Sequence, residues 1–203
     1  DRGRAFQPDP IERIGHDLPD GRIVVRRDRG HLRSLLAVGD RRIDLVLMTH
    51  PQLDHFGGFI EVLKQYEVGA FLGTGRVGTT KAYGELMRVI RERQIPYIAL
   101  RRGSRIAYGD VGVDVLSPNA RDLASKELND GCLVLRIATP VARALFTCDA
   151  GENIERALAV TDDIRADILK VGHHGSRFSS SAAFLRAVRP LVAVIEVGKN
   201  TYG

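Results

Sequence analysis

Seven residues, Thr49-His50-Pro51-Gln52-Leu53-Asp54-His55, put two imidazoles and a carboxylate into one short turn. They follow an apolar run over 43–48 that reads as a strand and precede Gly57-Gly58-Phe59-Ile60-Glu61-Val62-Leu63, which reads as a glycine-led helix. Imidazole and carboxylate together suit divalent transition metals, and such an ion with an open coordination position lowers the pKa of water it binds from roughly 15.7 to about 7. Standing alone, the same turn also fits a polar loop that happens to hold histidines.

Three further strand ends carry reactive side chains. Phe146-Thr147-Cys148-Asp149-Ala150 places an aspartate just before a helical pattern, where the simplest local role is a helix N-cap. The run 167–172 leads straight into His173-His174-Gly175-Ser176, and a double histidine followed by glycine is uncommon in a purely structural turn. Asn129-Asp130-Gly131-Cys132 precedes a hairpin pattern and is by itself no more than a set of turn formers. Of six histidines, His16 and His31 lie in the irregular first segment and read as solvated surface residues. A competing signal is Gly73-Thr74-Gly75-Arg76-Val77-Gly78, which matches GxGxxG after a strand, with Arg101 and Arg102 one strand later to hold a 2′-phosphate. That NADP reading accounts for none of the histidines and lacks a continuing βαβ series; the alternative is a glycine-rich loop at the rim of the site.

The elements that must position these groups come in two styles. After a weakly ordered entrance with one short strand around 22–26, the pattern alternates: strand 43–49, helix 57–66, strand 68–72, helix 80–93, strand 96–100. From Arg105 onward strands dominate, with a hairpin around Thr139-Pro140, then helix 151–160, strand 167–172, helix 181–188 and strand 191–197. This order predicts one α/β domain of two sheets covered by helices. The chain of 203 residues is 44% apolar, enough to close a core without disulfide or metal staples. Cys132 and Cys148 form no CxxC pair and read as buried thiols. No stretch reads as a membrane span or signal peptide. The net charge of +5 is carried mainly by arginine, clustered at Arg26, Arg27 and Arg29, at Arg41 and Arg42, and at Arg101, Arg102 and Arg105, which suits polyanion binding but is also a common surface bias.

Taken together, the HxxxDH turn with Gly57-Gly58, the Leu116-Ser117-Pro118 strand end, Asn129 with its hairpin, Thr147-Cys148-Asp149, the HHGS segment and the closing run from Val194 to Gly203 resemble the metallo-β-lactamase fold. Within it they resemble the hydrolase domain of the ComEC family of DNA-internalisation competence proteins. The resemblance spans nearly the whole chain and implies an αββα sandwich whose strand-end loops converge on one edge, as a single domain over 1–203. Carried over residue by residue, it implies two divalent ions, zinc or manganese: His50 at a first position, Asp54 and His55 at a second, Asp149 bridging, and His174 completing the second position because it directly precedes glycine. His173 would face substrate or donate a proton.

Four departures from the family pattern bear on that centre. Gln52 stands where the pattern has histidine or an acid, which weakens the first position. Asn129 occupies the segment that supplies a histidine in β-lactamases, and Asp130 could restore a carboxylate there. Cys148 replaces the glycine usual before the bridging aspartate, and Cys132 stands where serine is common. The early Gly-Gln-Gly-Asp-like motif and the His-Pro after Tyr202-Gly203 are missing, so the chain reads as a fragment of a longer parent.

The resemblance further implies metal-dependent hydrolysis of a phosphodiester, with DNA as substrate, Asp54 and His173 as catalytic groups, and Ser176 as a possible donor to phosphate. It implies a bacterial membrane parent whose channel domain partners this one outside the cytoplasm. Two other readings remain open: a small phosphoester hydrolase of phosphocholine type, and a metal- or DNA-binding module whose catalysis is impaired.

Overall fold

The computed structural model describes residues 22–25 and 42–198. His16, His31, Arg26, Arg27, Arg29, Arg41 and the closing segment beyond Gly198 lie outside the described residues.

Two sheets run through the described part. The smaller is parallel: after β1 (Arg22–Val25), which joins the larger sheet, β2 (Arg42–Leu47), β3 (Glu67–Gly73) and β4 (Tyr97–Ala99) pair in the order β2-β3-β4. The larger joins β1 to β5 (Arg105–Tyr108), β6 (Val111–Ser117), β7 (Val134–Ala138), β8 (Arg143–Phe146), β9 (Ile168–Lys170) and β10 (Val192–Val194), in the order β1-β5-β6-β7-β8-β9-β10. Its centre is an antiparallel meander from β5 to β8, while β1 on β5 and β8-β9-β10 are parallel. The β7–β8 turn is the expected hairpin, closed by Thr139 N–H to Ala142 O at 2.9 Å and by the Thr139 hydroxyl accepting from Ala142 N–H.

Alternation along the strands sends side chains into three apolar layers. Leu45, Leu47, Ala70, Leu72, Leu100, Ile106, Val115, Leu133 and Leu135 meet between the sheets. On the outer face of the small sheet, Val46 and Phe71 pack against α1 (Leu53–Phe56), α2 (Phe59–Gln65) and α3 (Lys81–Glu92). On the outer face of the large sheet, Val134, Leu145 and Leu169 pack against α5 (Glu152–Thr161) and α6 (Ala182–Val188), with the one-turn α4 (Ala120–Leu123) lying in the β6–β7 connection. The result is an αββα sandwich. The helix α3 shows why its sequence makes this layer: Tyr83, Leu86, Met87 and Ile90 recur at helical spacing and are buried, and the Thr80 hydroxyl caps the start by accepting from Tyr83 N–H at 3.1 Å.

One expected element differs. The helix read over 57–66 is α2, which starts at Phe59, and a separate one-turn helix, α1, precedes it across Gly57-Gly58. Gly57 N–H closes the first turn on Leu53 O at 2.7 Å, and a Cβ at Gly57 would lie 2.8 Å from that same oxygen. Only glycine allows the backbone so close, and the tight turn is what carries Asp54 and His55.

Candidate metal centre

The turn after β2 is tied to both sheets. Met48 N–H donates to Leu72 O at 2.8 Å in β3, and Leu133 N–H, just before β7, donates to Thr49 O at 3.0 Å. His50 is completely buried, His55 half-buried, and Asp54 exposed. The Thr49 hydroxyl stands between the rings, 3.2 Å from His50 Nδ1 and 3.3 Å from His55 Nδ1, with ring centroids 4.2 Å apart.

Two strand ends of the large sheet face this turn. Beyond β8, the Thr147 hydroxyl donates to Lys170 O at 2.9 Å, Cys148 takes a left-handed backbone angle of +51°, and Asp149 is 3% exposed. Beyond β9, the chain kinks over Gly172–Gly175, where His173 and His174 both take left-handed backbone angles, with φ of 47° and 54°. Such angles cost about 1–3 kcal/mol each for a residue with a Cβ and cluster at functional sites. His173 N–H donates to Cys148 O at 2.9 Å, which locks the two ends together.

These constraints bring Asp54, His55, Asp149 and His174 into one group, with a donor atom of each within 4.8 Å of the others. His55 Nε2 lies 3.2 Å from Asp149 Oδ2 and 3.6 Å from Asp54 Oδ2; His174 Nε2 lies 3.6 Å from Asp54 Oδ2 and 3.8 Å from Asp149 Oδ2. Both Nε2 atoms are buried and make no hydrogen bond. His174 Nδ1 faces Glu196 O at 2.9 Å, and a carbonyl only accepts, so the proton sits on Nδ1 and Nε2 keeps a lone pair. Two desolvated imidazole lone pairs beside two carboxylates form a donor set that fits a divalent cation. Burial alone would raise the Asp149 pKa, but the neighbouring His55, with His50 and His173, holds it below the usual value. That carboxylate stays ionised.

His50 lies at the edge of this group rather than in it. Its Nε2 is 2.9 Å from Gln52 Oε1 and its Nδ1 is 3.2 Å from Cys148 Sγ. Burial lowers its pKa, yet the Cys148 thiol and the Gln52 amide bring it above the usual value. His173 belongs to neither donor group; its ring centroid is 6.5 Å from that of His174.

Other candidates take structural parts. The simplest local role of Asp149, a helix cap, is corrected: α5 is capped by Gly151 with no side-chain bond, because Asp149 is turned to the histidines. Asp130 accepts from the Ser125 hydroxyl at 2.7 Å and from Asn153 Nδ2 at 2.9 Å, away from the donor groups, while the neighbouring Asn129 Oδ1 is buried without a partner. Ser176 Oγ accepts from Phe178 N–H, and the Ser181 hydroxyl caps α6. In the glycine-rich loop, Gly75 N–H bonds the Tyr97 hydroxyl, Gly78 packs against Tyr83 and Pro51, and Arg76 binds the carbonyls of Ser125 and Glu127. Arg102 forks onto Asp162 at 2.9 Å. The loop therefore braces the His50 turn and leaves no dinucleotide role.

Thr49 and the Glu196 carbonyl, which lie against the Nδ1 atoms of these rings, are not marked as site groups by the sequence. The only signal for Thr49 is its place immediately before His50; a backbone carbonyl gives none.

The profile of the Metallo-beta-lactamase superfamily matches residues 25–198. The chain is 34% identical over 168 residues to ComE operon protein 3 of Bacillus subtilis, covering 82% of this chain and 21% of that protein. It is 31% identical over 192 residues to competence protein ComA of Neisseria gonorrhoeae, covering 92% of this chain and 25% of that protein. The chain thus spans about a fifth to a quarter of these relatives. Among solved structures, CmlA, a diiron beta-hydroxylase from Streptomyces venezuelae, superposes with a TM-score of 0.50 at 16% identity, over 78% of this chain and 36% of that one, a likeness of fold alone.

Proposed function

Because the chain belongs to the metallo-β-lactamase superfamily, with competence proteins of the ComEC family among its relatives, we propose that it is a metal-dependent phosphodiesterase that cleaves DNA during competence-type uptake. The observation that carries this reading is the pair of buried, unbonded Nε2 atoms of His55 and His174 set against Asp54 and Asp149. Asp54, His55, Asp149 and His174 would hold one divalent ion and His50 would belong to a second, with Asp149 between them. When bound, the ions supply an activated water and charge neutralisation at the phosphate.

The rest of the work falls to the chain. Asp149, kept ionised, fixes the positive centre between the sheets. Thr49 and the Glu196 carbonyl hold the rings of His55 and His174 with their Nε2 lone pairs inward. Two carboxylates against the four charges of a filled pair leave the site net positive, which favours an anionic substrate. His173, in a strained turn beside the group, would meet a phosphate oxygen or protonate the leaving oxygen. Arg42, Arg102 and Arg105 already pair with Asp44, Asp162 and Asp114, so backbone tracking of DNA falls to other cations such as the exposed Arg101 and Arg177. No helix among the described residues is long and apolar enough to cross a membrane.

The test is cleavage of single- and double-stranded DNA by the chain within its parent's native flanks, with zinc or manganese, alongside Asp149→Ala. Loss of both metal retention and cleavage in the variant is expected. Full activity of Asp149→Ala would sink the two-ion reading; cleavage of phosphocholine esters but not DNA would move the substrate, and bound metal with no cleavage would make this a binding module.

A further inference from the structure

Gln52 leaves the first cation position without the charged donor that an acid would bring, yet another anion-forming side chain stands there. Cys148 Sγ lies 3.2 Å from His50 Nδ1, and donor atoms of His50, His55 and Cys148 all fall within 4.8 Å of one another. A thiolate at about 2.3 Å and an imidazole at about 2.0–2.1 Å from one tetrahedral zinc sit roughly 3.5 Å apart, so the observed spacing needs a shift of only a few tenths of an ångström. The other ring nitrogen is already committed. Gln52 Oε1 only accepts, so it takes the Nε2 proton at 2.9 Å and leaves the Nδ1 lone pair on the side of the sulfur.

The backbone points the same way. Cys148 sits at a left-handed φ of +51°, an angle glycine adopts without strain, and the thiol is nonetheless kept there, 9% exposed, against the histidine. We propose that Cys148 is a thiolate ligand of the first cation position, with His50 as its partner and Gln52 as the residue that positions His50, and that this position takes zinc in preference to manganese or magnesium. The preference follows from ligand softness: thiolate and imidazole suit borderline ions, whereas manganese and magnesium want oxygen. On binding, the ion replaces the thiol proton, which passes to solvent.

The inference rests on the superfamily reading of the centre, and cobalt titration separates their failures. Cobalt bound by any of these residues gives visible ligand-field bands, but only a thiolate adds a near-ultraviolet charge-transfer band. The metal-stripped chain should bind about two ions, with that band present. Cys148→Ser and Cys148→Gly should lose the band and fall to about one ion while keeping the ligand-field bands of the Asp54–His174 group; Cys132→Ala should keep everything. Cys148→Gly relieves the left-handed backbone, so it guards against a variant that merely misfolds. In the unmodified chain, zinc should displace manganese from one position at least about 10-fold more readily than in Cys148→Gly. Two ions with no near-ultraviolet band, or a band that follows Cys132, overturns the thiolate position and leaves the proposed function standing. No cobalt bound at all overturns both.

Discussion

Thr49 Oγ1 reaches two histidine rings, 3.2 Å from His50 Nδ1 and 3.3 Å from His55 Nδ1, so one hydroxyl sets the rotation of both. With a cation on Nε2 of His55, which lies 3.2 Å from Asp149, the ring proton would sit on Nδ1 and the Thr49 hydroxyl would accept it. Thr49→Val keeps the shape of the side chain and deletes that acceptor. Metal affinity should fall about 10- to 100-fold, the usual effect of losing a group that orients a ligand, with an unchanged circular dichroism spectrum; metal binding equal to that of the unmodified chain would count against the orienting role. At this scale, legibility depended on distance along the chain. HxxxDH and HHGS could be read because their donors are contiguous, whereas the approach of Cys148 to His50 spans 98 residues and leaves no local pattern. Asp149 was ambiguous for the same reason: before a helix it resembles a cap, and only the fold turns it to His55.

At the scale of elements, the loop that carries HHGS is held from below by a buried carboxylate. Glu155, on α5 and 1% exposed, accepts the backbone N–H of Ser181 at 3.0 Å and that of Ser180. The Ser181 hydroxyl then caps α6, and the Ser179 hydroxyl donates back to Gly172 O at 2.9 Å, so α5, α6 and the histidine turn share one network. Glu155→Ala strands two half-buried donors and should cost about 2–4 kcal/mol of stability, read as a lower denaturant midpoint. Metal affinity should fall with it, because His174 rides on the same turn; a midpoint shift under about 0.5 kcal/mol, the range of ordinary surface changes, would sink the bracing role. Strand runs and the amphipathic α3 were legible from periodicity, as was the hairpin at Thr139-Pro140. The histidine turn was not, since left-handed φ at His173 and His174 contradicts the preference of both residues and is imposed by contacts with β8 and the Ser179 loop. The break between α1 and α2 was half visible as Gly57-Gly58, but the close approach to Leu53 O that demands it belongs to three dimensions.

Across the whole molecule, the candidate donors come from different sheets. His50, Asp54 and His55 follow β2 of the small sheet, while Cys148, Asp149 and His174 follow β8 and β9 of the large one. The apolar layer between the sheets ends at this edge, where carboxylates and bare nitrogens face each other. A cation held there would join the two halves of the sandwich and bind the folded state alone, so its loss should lower stability by the mass-action amount, about 4 kcal/mol when free ion exceeds its dissociation constant 1,000-fold. For a chain of this size each kcal/mol moves the melting temperature by about 2–4 °C. Chelation of the metal-loaded chain should therefore lower the melting temperature by roughly 8–16 °C, and returning zinc should restore it. Asp149→Ala, which lacks the carboxylate shared by both halves, should melt at one temperature with or without chelator. If the unmodified chain is equally indifferent, the sheets are held by the apolar layer alone and no ion bridges them.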